Sequence, residues 1–135
     1  MSHFLECQTL FRDRSCLVEA LEEVFGKGKV EVHEEAQNLY GYAGDVREQQ
    51  AEVIIRRKHV GSASNDIGFV KEADGTYTAI ISEYDRHKYN DEWMGTMKQK
   101  YAVAKMKKEY KRKGLVVREE KRADGRVRLE VMGFR

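Results

Sequence analysis

The 135-residue chain contains no proline at all, against an average usage of about 5%. Its turns therefore rest on glycine, aspartate and asparagine. Cysteine is almost as scarce. Cys7 and Cys16 are too few and too close in sequence for a secreted disulfide framework. Each reads as a small buried apolar residue, and the expected compartment is reducing and cytoplasmic. No stretch approaches the roughly 20 apolar residues that a membrane-crossing helix needs. The start, Met1-Ser2-His3-Phe4, lacks a basic region followed by an apolar run, so no signal peptide is expected. The histidines, His3, His33, His59 and His87, have neither HExxH nor HxH spacing, and there is no CxxC. Nothing has the spacing of a phosphate loop or a dinucleotide fingerprint. The expectation is no metal, no cofactor and no catalytic set.

The residues that are present describe one soluble domain spanning 1–135. The chain is 41% hydrophobic and 36% charged, and this length supports one real core and hardly two. The formal net charge is only +2, so the basic character is local. It is concentrated in the segment around which the rest is organised, residues 90–131. Asn90 can cap a helix whose first turn carries Asp91 and Glu92, at the positive end of its dipole. At about 100° per residue, Trp93, Met94, Met97, Tyr101 and Ala104 share one arc, which should lie on a sheet. Val103, Met106 and Tyr110 fall on another side, and Lys108 lands in the first arc. Lys98, Lys100, Lys105, Lys107, Lys108, Lys111, Arg112 and Lys113 crowd the later part of the same helix, where Glu109 alone opposes them. They read either as a solvated basic helix end or as a surface that faces anions. Gly114 stops the helix. Val127, Leu129 and Val131 then alternate with Arg126, Arg128 and Glu130 after an Asp124-Gly125 turn, predicting a hairpin.

Earlier in the chain, residues 4–11 predict a strand. Asp13 caps a helix to about Phe25, with Leu17, Ala20, Leu21 and Val24 in its stripe, ended by Gly26 and Gly28. Residues 29–34 predict a short strand with Val30 and Val32 inward. Residues 36–48 read as irregular. They include Tyr40-Gly41-Tyr42-Ala43-Gly44-Asp45, where Tyr40 and Tyr42 are either packed across a turn or a binding rim. Ala51, Val53 and Ile55 carry a strand ending in Arg56-Arg57-Lys58-His59. A polar loop over 61–65 follows. Residues 66–72 and 76–82 pair through Ala73-Asp74-Gly75. The fold class is α+β: a mostly antiparallel sheet of six or seven strands with two helices on one face. Two ferredoxin-like halves would also give this order, and the helix–glycine–strand echo of Gly28 and Gly114 is compatible with duplication.

The nearest approach to a catalytic constellation is Glu83-Tyr84-Asp85-Arg86-His87-Lys88-Tyr89. It reads either as a solvated loop or as an acid, a base and a phenol placed for proton transfer.

The motifs Met1-Ser2-His3-Phe4, Leu17-Val18-Glu19-Ala20-Leu21, Tyr40-Gly41, Asp66-Ile67-Gly68-Phe69, Gln99-Lys100-Tyr101-Ala102, Lys113-Gly114 and Asp124-Gly125-Arg126-Val127-Arg128-Leu129 run in order along nearly the whole chain. Together they resemble a family of uncharacterised small proteins encoded in cyanobacteria, algal plastids, some other bacteria and phages. The family has no assigned activity, so the resemblance carries over no catalytic residue. Members occur beside genes for AAA-type ATPases and small companion proteins, which implies an accessory role with a partner of one of those kinds. This chain departs from the commoner form in its extra basic residues at 105–113 and in residues 83–88, where relatives carry more tryptophan.

Three functional readings follow. The first is a small non-enzymatic accessory or adaptor protein that binds a partner through an edge strand or the helix beginning at Asp91. The second is weak, salt-sensitive, sequence-independent nucleic-acid binding. It would use Arg56, Arg57 and Lys58 with Lys105, Lys107, Lys108, Lys111, Arg112 and Lys113, if all share a face flanked by Tyr101 and Tyr110. The third is a small-ligand binder or enzyme with Tyr40, Tyr42, Tyr84, Asp85 and His87 around one pocket.

Overall fold

A computed structural model describes residues 3–133. Met1 and Ser2, part of the amino-terminal segment read above, lie outside them. The elements are β1 (Phe4–Gln8), α1 (Arg14–Phe25), β2 (Glu31–Tyr40), β3 (Val46–Ile55), a single helical turn α2 (Arg57–Val60), β4 (Ile67–Lys71), β5 (Tyr77–Ser82), a 3-10 turn (Asp85–His87), α3 (Asp91–Arg112), β6 (Val116–Lys121) and β7 (Val127–Met132). Strands β1–β5 form one sheet in the order β1-β5-β4-β3-β2, and β6 and β7 form a separate two-stranded sheet. Every neighbouring pair is antiparallel. The class is α+β, with both long helices on one face of the larger sheet.

The helices form where their caps and stripes predict. The Asp13 carboxylate accepts the Cys16 N–H at 3.2 Å, and the Asn90 side chain accepts the Trp93 N–H at 3.0 Å. Leu17, Ala20 and Leu21 of α1 and Met94 and Met97 of α3 meet Val53, Ile55, Ile67, Phe69, Tyr77, Ala79 and Ile81 in one core. The sheet residues alternate, as a strand's two-residue period requires. Each fully buried Leu or Ile is worth roughly 1.5–3 kcal/mol against exposure.

The sheet's other face is also covered. Leu39, Ala51, Ile54 and Ile80 make a second buried cluster, with Phe4 and Val70 against it. Its cover is the far half of the β2–β3 hairpin. The Asp66 N–H donates to the Tyr40 carbonyl at 3.0 Å, so the end of β2 reaches the start of β4. Gly68 makes the approach feasible: a Cβ there would sit 2.8 Å from the Ala51 Cβ. With both faces covered, Val53, Ile54 and Ile55 are all buried, and so is every residue of β5.

Five expectations need correction. Residues 36–48 are not irregular, because most of them are strand. The register slips between Val32 and Gln37 and again between Asn38 and Tyr40, and such bulges scramble the alternation that marks a strand. The strand beginning near 29 runs to Tyr40, and Val32 faces solvent. Arg57–Val60 is a helical turn rather than a strand end. The β6–β7 hairpin packs against α3 and does not extend the main sheet. Ferredoxin-like halves are absent among the described residues: no pair is parallel, and β1 and β2 lie at opposite edges.

Candidate functional site

Two regions gather the candidate residues. The first is the end of the sheet where the β2–β3 turn, α2, the 61–65 loop and the 3-10 turn meet. Its centre is Asn65-Asp66, both fully buried. A buried carboxylate needs donors, and Asp66 has three: the Tyr40 N–H at 2.8 Å, the Arg57 N–H at 2.6 Å and Arg56 Nη1 at 2.9 Å. Asn65 Oδ1 accepts the Tyr42 N–H at 2.9 Å, and its Nδ2 donates to Ser82 Oγ at 2.9 Å. Asp85 Oδ2 accepts from the Asn65 N–H at 2.9 Å and from Ser82 Oγ at 2.8 Å. These adjacent residues therefore tie together the β2–β3 turn, the end of β3 and the end of β5. Reading the sequence as a plain polar loop misses them. The available signal was an Asn-Asp pair, both strong side-chain partners of backbone groups, directly before a strand.

Several predicted residues come together here. Tyr40, Arg56, Arg57 and Lys58 line a hollow of about 460 Å³. Tyr84, Asp85 and His87 line an adjoining one of about 350 Å³. Gly61 and Ser62 border both. Tyr42 borders neither and joins the region only through its backbone N–H. Within the acid–base–phenol trio, Tyr84 and His87 are exposed, whereas Asp85 is buried and bonded to Ser82 and Asn65. Arg56 is committed as well. Nε donates to Glu31 at 3.0 Å, Nη1 also donates to the Asn38 carbonyl, and the guanidinium lies 5.1 Å over the Tyr40 ring. Burial works against the charged form of Glu31, but hydrogen bonds from Arg56 and His33 outweigh it and hold that carboxyl below its ordinary range.

The second region is α3 with the β6–β7 hairpin. Residues 98–133 hold 13 basic and 5 acidic side chains, whereas residues 1–97 hold 11 basic and 18 acidic. The modest net charge thus conceals a segregated one. Much of it is spent internally. Asp13 takes Lys108 at 2.7 Å and Lys105 at 3.6 Å; Lys107 reaches Glu119 at 3.4 Å and Glu19 at 3.8 Å; Lys121 reaches Glu23 at 3.8 Å. Arg112 pairs with Glu109 at 2.7 Å. Burial disfavours the Asp13 carboxylate, but bonds from Lys108, Ser15 and the Cys16 N–H prevail and hold it well below the usual range. Lys108 therefore belongs in the arc that faces α1. Tyr101 is equally occupied: its hydroxyl accepts the Arg12 and Asp13 N–H groups at 3.1 and 3.0 Å, and its ring lies 4.6 Å from Phe11. Tyr110 is half-buried. Lys111 and Lys113 have no ion pair among the described residues.

The two basic clusters do not share a patch. The Tyr89 hydroxyl donates to the Val60 carbonyl at 2.9 Å, which puts Arg57 and Lys58 beside the start of α3. Lys105 stands 14 residues beyond Asp91, about 21 Å along the helix. Among its charged residues the carboxy-terminal unit also exposes apolar side chains. Met106 is 45% exposed, Val116 48%, Val131 42% and Met132 37%. Val116 borders a hollow of about 280 Å³ that is also lined by Lys107, Lys111, Leu115 and Val117. Among the described residues no group of His, Cys, Asp and Glu could hold a metal ion, and no helix is long and apolar enough to cross a membrane. Cys16 is buried, Cys7 half-buried, and both are free thiols.

No curated protein and no solved structure matches the chain. A family model does: the one described as protein of unknown function (DUF1257) matches residues 26–130, from the close of α1 to the last strand, and the chain belongs to that family.

Proposed function

We propose that the protein is a small, non-catalytic accessory protein that docks an acidic protein partner through α3 and the β6–β7 hairpin. The observation that carries this reading is the exposed apolar pair Val116 and Met132, directly opposite one another across the hairpin, with Val116 also bordering the hollow lined by Lys107 and Lys111. A two-stranded hairpin is marginal alone, and this one offers unpaired strand edges to a partner strand. The surplus of cations in residues 98–133 selects a partner with carboxylates around an apolar segment. An AAA-type ATPase or a small companion protein is the partner to test first, on the family resemblance.

The experiment is capture of partners from the native host by wild-type protein and by the double variant V116S/M132S. Both side chains are exposed on the outer face of the hairpin, so the variant's stability should stay within about 0.5 kcal/mol of wild type. The expected result is a stoichiometric acidic partner held by wild type and lost by the variant. Absence of any stoichiometric protein, or equal retention by the variant, overturns the reading. So does recovery of nucleic acid in its place, with salt-sensitive binding lost on neutralising Lys107, Lys108, Lys111 and Arg112.

A further inference from the structure

The adjoining hollows at the Asn65-Asp66 end of the sheet have an unbalanced set of charges. Every carboxylate around them already has donors. Asp66 is bonded by Arg56 and two backbone N–H groups, Asp85 by Ser82 and Asn65, and Glu31, behind Arg56, by Arg56 and His33. The cations are not similarly matched. The Arg57 guanidinium and the Lys58 ammonium have no carboxylate partner among the described residues, and Lys88, lying 5.5 Å over the Tyr89 ring, has none either. The hydroxyls of Ser62, Tyr40 and Tyr84 are likewise without a partner among the described residues. This occurs in the portion of the chain where acidic side chains outnumber basic ones. The ridge between the hollows is reduced to backbone. At Gly61 a Cβ would fall 2.6 Å from Ser64 Oγ, so a side chain there would force that hydroxyl to turn. Volumes of about 460 and 350 Å³ lie within the range of small-molecule sites, and a polar lining with surplus donors suits an anion.

We propose that this double hollow binds a small phosphorylated molecule, with Arg57, Lys58 and the Ser62 hydroxyl on the phosphate and the part lined by Tyr84 and His87 against the organic portion. A guanidinium fork matches two phosphate oxygens, and a lysine adds a point charge. The Asp66 bonds fix the backbone at Arg57, so the fork is carried on a rigid support. The proposal is independent of the accessory role, whose surface lies at the other end of α3.

The test is titration of the ¹⁵N-labelled full chain with pyrophosphate, AMP and adenosine at constant ionic strength, read by amide chemical shifts. Pyrophosphate and AMP should each give saturable shifts at residues 57–64, and AMP also at residues 84–88; adenosine should give none. R57Q/K58Q should weaken AMP at least tenfold, about 1.4 kcal/mol, while K111Q/R112Q/K113Q should leave it unchanged. Neither Arg57 nor Lys58 holds a carboxylate in the fold, so R57Q/K58Q should melt like wild type. The map of shifts in the wild-type chain is decisive even without that variant. Shifts confined to residues 105–113, equal shifts with adenosine, undiminished AMP affinity in R57Q/K58Q, or no saturable shift by ~10 mM ligand overturn the proposal.

Discussion

A methyl group added at Gly68 would fall where the β2–β3 hairpin crosses the sheet. Gly68 lies in β4 between Ile54 of β3 and Ile80 of β5. An alanine Cβ would stand 2.8 Å from the Ala51 Cβ and 3.0 and 3.1 Å from the Leu39 methyls. Carbon atoms rest at about 3.5–4.0 Å. Leu39 and Ala51 are fully buried, so neither can swing into solvent. The φ of Gly68 is not in the left-handed region, so Gly68→Ala measures packing rather than backbone strain. Overpacking of this kind costs about 1–3 kcal/mol. For a domain of this size each kcal/mol lowers Tm by roughly 4 °C. Ala51→Gly alone should cost about 1 kcal/mol, through chain entropy and a lost methyl. The double variant G68A/A51G should be more stable than the sum of the two losses by at least about 1 kcal/mol. Urea unfolding can be followed by the single tryptophan, Trp93, whose ring lies 5.1 Å from Tyr89 and 6.1 Å from Phe25. The m-value should not change. A neutral Gly68→Ala, or strictly additive losses, would refute the claim that the hairpin closes on this face.

Three further outcomes are expected. Asp13 has a lowered folded pKa, so its contribution is fully present above the unfolded carboxylate value near 3.9 and is lost as pH falls through the folded value. Asn keeps the cap, so Asp13→Asn removes only the charge facing Lys108 and the helix dipole; it should lower stability at pH 7 by about 0.5–1 kcal/mol, and the gap should narrow in urea melts taken at progressively lower pH below 4. A constant gap would show that the Lys108 pair does not matter. Asn65→Ala strips one buried carboxylate of a donor and a backbone N–H of its acceptor, and should cost about 2–4 kcal/mol in the same melts. Tyr101→Phe leaves the Arg12 and Asp13 N–H groups without their acceptor and should cost about 1–2 kcal/mol; hydrogen exchange at those two amides should quicken.

The sequence by itself determined the elements whose signals are local. Asp13 and Asn90 announced both long helices, because a cap needs one side chain and the three residues after it. Asp74-Gly75 and Asp124-Gly125 announced their turns, and the alternation of Val127, Leu129 and Val131 announced a strand, for the same reason. The α+β class followed from that order, and the family from motifs spread along it. Tertiary structure alone decided the rest. The slips between Val32 and Tyr40 hid half a hairpin, since a bulge destroys the period of two by which a strand is read. Whether the last hairpin joined the main sheet depended on what α3 and α1 left open to it. Which lysines of α3 found ion-pair partners depended on Asp13 and Glu19, which are distant in sequence and brought alongside by helix packing. Asn65 and Asp66 became the centre of a polar network only when four separate segments converged on them. Side-chain chemistry was legible wherever its partner lay within a few residues, and illegible wherever the partner arrived through the fold.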